Sequence, residues 1–323
     1  MATFKSLTDP FDTMAGLTPD QLGITAAPAF LASDAVTVPP GGFSALYAFG
    51  DSLSDAGNIA YLTRGLEPAA PYNGGRFTSG DVWVQDLARD LGLPPVKNSL
   101  QRGTDYAYGG AETGANPQHT ALPTDLPSQL LQFEFNTPLP NPNALYTVWA
   151  GANDILGLAD SNLTPAQQQA GAQQAANNEV SMIKGLISHG AKNLVVLGVP
   201  DLSKTPSGLA APNTAATKAA LAQDFNADLG AGLREIMAAG TAKIDYIDTF
   251  GLLDAVIANP APFGFTDVTQ PLWTGNYTDP NSGGLRAVGT AQAGYLFFDG
   301  LHPTAQTHFL LAASVTQTLT ATA

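Results

Sequence analysis

Short, nearly continuous apolar runs alternate along this chain with longer stretches whose apolar residues recur at helical spacing. Three such runs are Ala45-Leu46-Tyr47-Ala48-Phe49, Tyr146-Thr147-Val148-Trp149 and Asn193-Leu194-Val195-Val196-Leu197-Gly198-Val199, and the more polar Lys243-Ile244-Asp245-Tyr246-Ile247-Asp248 reads as another strand. Runs apolar on both faces are what the strands of a buried parallel sheet require. Between them, residues 81–91 show helical periodicity and stop before Gly92, a residue suited to a helix end. Thr164-Pro165-Ala166 opens a Gln/Ala-rich helix expected to reach Ser188, with Thr as the cap and Pro in the first turn. A second long helix is expected over about residues 214–239. Strands alternating with helices predict an α/β fold, a parallel sheet covered on both faces, with any site at the carboxyl ends of the strands.

The pattern weakens at two places. Residues 1–42 are rich in Ala, Pro, Thr and Asp and close on Pro39-Pro40-Gly41-Gly42. They read as an N-terminal extension, with a short helix near Thr18–Leu22, ahead of one domain over residues 43–323. Residues 257–296 are rich in Pro, Gly, Thr and Asn and read as a loop forming a cleft wall or lid. Phe263, Phe265, Leu272 and Trp273 within it are candidates either to line an acyl pocket or to join the core.

The chemistry lies where the strands end. Phe49-Gly50-Asp51-Ser52-Leu53-Ser54-Asp55-Ala56-Gly57-Asn58 follows the first run and sets a serine at a strand end. A helix starting there would aim its free N–H groups at the serine, where they would stabilise an oxyanion. Near the C-terminus, Asp299 and His302 stand three apart, a spacing that on a turn brings carboxylate and imidazole together. Such a pair fixes the tautomer and leaves the other ring nitrogen to accept a serine proton. Of the other histidines, His119 lies in a Pro/Gln/Thr-rich loop, His189 caps the end of a helix, and His308 has no comparable carboxylate. Two further blocks, Tyr108-Gly109-Gly110-Ala111-Glu112-Thr113 and Gly151-Ala152-Asn153-Asp154, offer a closely approaching backbone and an amide side chain as oxyanion donors beside the Ser52 N–H. Asp51 and Asp154 read as structural.

These blocks, FGDSLSDAGN, YGGAET, GAND and DGLHP, occur in an order that resembles the GDSL-type (Ser-Gly-Asn-His) serine hydrolases, above all their bacterial lipase/phospholipase/esterase branch, over about residues 44–310. The resemblance implies a three-layer, flavodoxin-like α/β fold. It implies Ser52 as nucleophile, Asp299 and His302 as the rest of a triad, and Ser52, Gly110 and Asn153 as the oxyanion hole. Gly110 is preferred to Gly109 because it aligns better with the family's single glycine. Residues 75–80 and 199–202 resemble secondary blocks of the branch. The implied activity is hydrolysis of carboxylic esters through an acyl-enzyme, lipid and phospholipid esters included. A carbohydrate O-acetyl esterase is the nearest rival, and a catalytically silent binding module of the same fold is the alternative outside enzymes.

Composition narrows the field further. The 323 residues carry a net charge of −14, which opposes binding to nucleic acid phosphates. The absence of cysteine excludes a thiol nucleophile and a thiolate metal site. The four histidines lack zinc-ligand spacing, and no dinucleotide fingerprint appears, so neither metal nor cofactor is expected. No apolar stretch approaches the ~20 residues of a membrane span. The N-terminus lacks the charged and apolar regions of a signal peptide, although the resemblance favours a secreted or extracellular location.

Overall fold

The computed structural model describes residues 42–116, 124–139, 141–277, 279 and 281–321. The expected extension up to residue 41, its short helix and His119 lie outside these residues.

The four expected strands form a parallel sheet, β1 (Leu46–Gly50), β2 (Leu145–Trp149), β3 (Asn193–Leu197) and β4 (Lys243–Ile247), in that spatial order. The free side of β1 is taken up by the segment 104–108. Ala48 N–H donates to the Thr104 carbonyl (3.0 Å), Tyr106 N–H to Ala48 (2.7 Å) and Tyr108 N–H to Gly50 (3.1 Å). That segment runs parallel to β1 through a bridge between Ala48 and Asp105. β1 therefore lies between the stretch that follows it in the chain and β2, which comes later. This reversal of strand order opens a crevice at the carboxyl ends.

The helices are α1 (Asn58–Leu62), α2 (Trp83–Asp90), α3 (Leu126–Asn136), α4 (Ala152–Ala159), α5 (Pro165–Ser188), α6 (Pro206–Ala210), α7 (Pro212–Ala238), α8 (Thr249–Ala258) and α9 (Ala305–Ala321). Alternate side chains of a strand point to opposite faces, and the core divides accordingly. Phe49, Tyr146, Val148, Leu194 and Val196 pack under α3, α5 and α7. Leu46, Ala48, Leu145, Val195, Leu197 and Ile247 pack under α2 and α9. The result is the expected three-layer arrangement. α5 begins as its sequence predicts: Thr164 Oγ1 accepts from Gln167 N–H (3.4 Å) while Gln167 Oε1 accepts from Thr164 N–H (3.0 Å), with Pro165 at the first helical position. No described helix is long and apolar enough to cross a membrane.

The stretch 257–296 departs from expectation. It carries the end of α8, 3₁₀ turns at Ala261–Phe263 and Gly289–Gly294, and a small parallel pair, β5 (Asp267–Pro271) with β6 (Tyr295–Phe297). β5, Asp-Val-Thr-Gln-Pro, has no buried residue. It is a strand because β6 offers it backbone partners, and its own pattern carries no such signal.

Candidate active site

β1 ends at Gly50 with φ 144°, where an added Cβ would run into the Trp149 carbonyl oxygen. Glycine thus lets the chain leave the sheet sharply. Asp51 then shapes the turn as expected: its Oδ1 accepts from Leu53 N–H (2.9 Å) and its carbonyl from the N–H groups of Ser54 and Asp55 (3.1 Å each). Burial pushes the Asp51 carboxyl up to about 7, against the Leu53 N–H and the charge of His302. Ser52 sits in this turn, and its N–H donates to no described residue. α1 starts only at Asn58, so the N–H groups around Ser52 belong to a turn and the conditional helix start is not realised.

The polar tail of the first block is a buried lock whose role the sequence reading missed. Asp55 accepts from the N–H groups of Gly57 (2.8 Å), Asn58 (2.5 Å), Ile59 (3.2 Å) and Gly109 (2.9 Å). Asn58 Nδ2 donates to the carbonyls of Asp105 (2.9 Å) and Ala107 (2.8 Å). Together these bonds fix the first block against the second. They also separate the two glycines: Gly109 N–H is engaged by Asp55, while Gly110 N–H donates to no described residue. Gly110 has φ 79°, and an added Cβ there meets nothing within 4 Å.

Asn153 lies in the first turn of α4. Its Nδ2 donates to the Ala111 carbonyl (2.8 Å), which orients the amide beside the Gly110 turn and leaves its second N–H available. Asp154 is structural, as expected, and accepts from Thr113 N–H (3.0 Å) and Oγ1 (2.8 Å).

The last block follows β6. Asp299 Oδ1 accepts from the N–H groups of Leu301 (2.7 Å) and His302 (2.6 Å), closing a tight turn on its own side chain. Its Oδ2 lies 2.7 Å from His302 Nδ1, and His302 Nε2 lies 2.9 Å from Ser52 Oγ. The structure therefore joins Ser52, His302 and Asp299 in one hydrogen-bonded chain. Burial acts to raise the Asp299 carboxyl, but the charge and hydrogen bonds of His302, with help from Tyr72, hold it below its ordinary value. Burial acts to lower His302, but Asp299 prevails and holds the imidazole above 6.5. Tyr72, absent from the sequence reading, donates its hydroxyl to Asp299 Oδ2 (2.5 Å). The other described histidines are engaged elsewhere: His189 Nε2 with the Thr137 carbonyl (2.7 Å), and buried His308, lowered to about 3 by desolvation, with Trp83 N–H (3.3 Å).

Ser52, Asn153 and His302 line one cleft of about 960 Å³, open mouth included. Its remaining wall is mostly apolar, with Leu252 and Val256 of α8, Phe263, Phe265, Leu296 and Leu310 among the lining residues. Of the candidate pocket residues, Phe263 and Phe265 do line it. Leu272 and Trp273 do not, and pack instead with Tyr72 and Phe298.

A hydroxyl, imidazole and carboxylate in series beyond the first strand of a three-layer α/β fold form the arrangement of the serine hydrolases. The chain belongs to the GDSL-like lipase/acylhydrolase family, whose model matches residues 46–315, and is a carboxylic ester hydrolase. It is 28% identical over 238 residues to a phosphatidylcholine-sterol acyltransferase of Aeromonas hydrophila, covering 73% of this chain and 67% of that one. It is 29% identical over 246 residues to an acetylesterase of Thermothelomyces thermophilus, covering 69% and 76%. Among solved structures, a carbohydrate acetylesterase from Sinorhizobium meliloti is similar with a TM-score of 0.46 and 14% identity, over 87% of this chain and 100% of that one.

Proposed function

We propose that the protein hydrolyses esters of extended acyl chains by acyl transfer through Ser52. Ser52 Oγ attacks the ester carbonyl while His302 Nε2 takes its proton, and Asp299 holds the imidazolium that forms. The N–H groups of Ser52 and Gly110 and the Asn153 amide bind the oxyanion. His302 returns the proton to the leaving alcohol, and a water activated by the same nitrogen releases the acid. An alcohol in place of water would give acyl transfer from the same intermediate. The observation that carries the reading is the Ser52–His302–Asp299 chain, at 2.9 and 2.7 Å, on the wall of an apolar cleft.

Asn153 tests the oxyanion hole. Asn153→Ala is expected to lower kcat by about 10²–10³ with KM little changed, because the lost donor acts on charge present only in the transition state. A loss confined to KM would remove Asn153 from that role.

The cleft argues for the acyl group. An acetyl group would leave most of this apolar wall uncovered. Each buried methylene contributes about 0.8 kcal/mol, a factor of about four in kcat/KM while the cleft fills. Hydrolysis of p-nitrophenyl esters from acetate to palmitate by the pure protein is therefore expected to rise from acetate to a longer optimum. A maximum at acetate would instead favour the carbohydrate O-acetyl esterase.

A further inference from the structure

We propose that Tyr72 is a positioning residue of the triad, whose hydroxyl holds Asp299 Oδ2 and draws off part of its charge, so setting the pH at which His302 becomes a base. This rests on the roles given above to Ser52, His302 and Asp299.

The two oxygens of Asp299 have different neighbours. Oδ1 is satisfied within its own turn by Leu301 and His302 N–H. Oδ2 receives His302 Nδ1 at 2.7 Å and the Tyr72 hydroxyl at 2.5 Å. Tyr72 thus shares the one oxygen that touches the imidazole, and it comes from a loop 227 residues away in the chain. Its ring is held on several sides. It meets Trp273 (5.1 Å between centroids), Phe298 (4.9 Å) and Phe77 (6.2 Å) edge to face, and Phe77 lies in turn 5.3 Å from the His302 ring. The phenol is buried with its hydroxyl aimed at one target.

A hydrogen bond from a neutral donor to a buried carboxylate favours its charged form and disperses that charge. Dispersed charge on Oδ2 attracts the imidazolium less strongly. With Tyr72 in place, His302 loses its proton at a lower pH than it would beside a bare Asp299. The other titratable groups facing this pair are Asp51 from the β1 turn and His308 from α9, while Tyr277 faces Tyr72 from the segment after β5. None of them hydrogen-bonds to the Asp299 or His302 side chains.

Tyr72→Phe removes the hydroxyl and keeps the ring. The experiment measures kcat/KM for a p-nitrophenyl ester across pH, and in parallel the rate of covalent inactivation by a fluorophosphonate. In the wild type both are expected to fall as pH drops through the His302 pKa, which stands above 6.5, because only the neutral imidazole accepts the serine proton. In Tyr72→Phe both acid limbs are expected to move to higher pH, and kcat at the optimum to fall about tenfold, the scale of one charge-assisted hydrogen bond. Replacing Tyr72 by 3,5-difluorotyrosine, a stronger donor of nearly the same shape, is expected to move the limb to lower pH. This second variant keeps the test open if Tyr72→Phe does not fold.

A phenol that only packs would lower the melting temperature and leave the limbs where the wild type has them, and that result overturns the proposal. Wild-type protein inert to the fluorophosphonate would overturn the reading of Ser52, and this proposal with it. A labelled wild type with unmoved limbs overturns the role of Tyr72 alone.

Discussion

Ser52→Ala is expected to give a folded protein whose kcat for any ester is about 10⁶-fold lower, leaving the residual rate that binding and oxyanion donors supply. The size follows from the geometry. Ser52 Oγ touches His302 Nε2 at 2.9 Å, whereas the turn around it is held by Asp51 and Asp55. Removing one hydroxyl therefore ends the chemistry without loosening the fold. His302→Ala is expected to cost as much, and the double variant no more than either alone, since the two side chains act as a unit. Intact-mass measurement should find an acyl adduct on the wild type in the first seconds of turnover and none on Ser52→Ala. Wild-type turnover by Ser52→Ala would sink the nucleophile assignment.

Asp299→Asn is the second large effect, with an expected loss in kcat of about 10⁴, the scale found for the equivalent change in unrelated triads. The side-chain oxygen must go on accepting from Leu301 and His302 N–H, so the amide nitrogen of the variant would fall at the position that faces His302 Nδ1. A donor there requires Nδ1 to accept, which places the ring proton on Nε2 and leaves nothing to receive the serine hydrogen. Steady-state kinetics on one chromogenic ester, with a thermal melt to confirm folding, decides the matter. A loss below tenfold would mean that Asp299 only supports the turn.

How far the sequence speaks depends on whether a role is local. β1, β2 and β3 were legible because a strand buried on both faces must be apolar almost throughout, and the sequence at 193–199 satisfies that without help from context, whereas the edge strand β4 keeps Lys243 exposed and showed a weaker pattern. Ser52, Asn153 and the Asp299–His302 pair were legible as candidates because each sits in a short block at a strand end and the blocks resemble those of a known family, while spacing alone brings together only Asp299 and His302. Asp55 and Asn58 stood in plain view in the first block, but polar residues in a turn look solvated. Only the fold, by setting 104–108 beside β1, buries them as a lock. Tyr72 had no local signal, since its meaning comes from Asp299, 227 residues away. Leu272 and Trp273 stood open between two readings for a related reason: apolar residues in a loop near the site can face the cleft or join the core, and here they join the core behind Tyr72.

The two halves of the triad come from opposite ends of the described chain, Ser52 after β1 and His302 just before α9, separated by 250 residues. They meet only when α9 docks beside α2 and closes the layer over β1 to β4. Ser52 and His302 are thus brought together by the packing of the two ends of the described chain and not by any local segment. A reactive serine is therefore a readout of the whole fold rather than of any one part, because it requires both ends of the described chain to be in place at once.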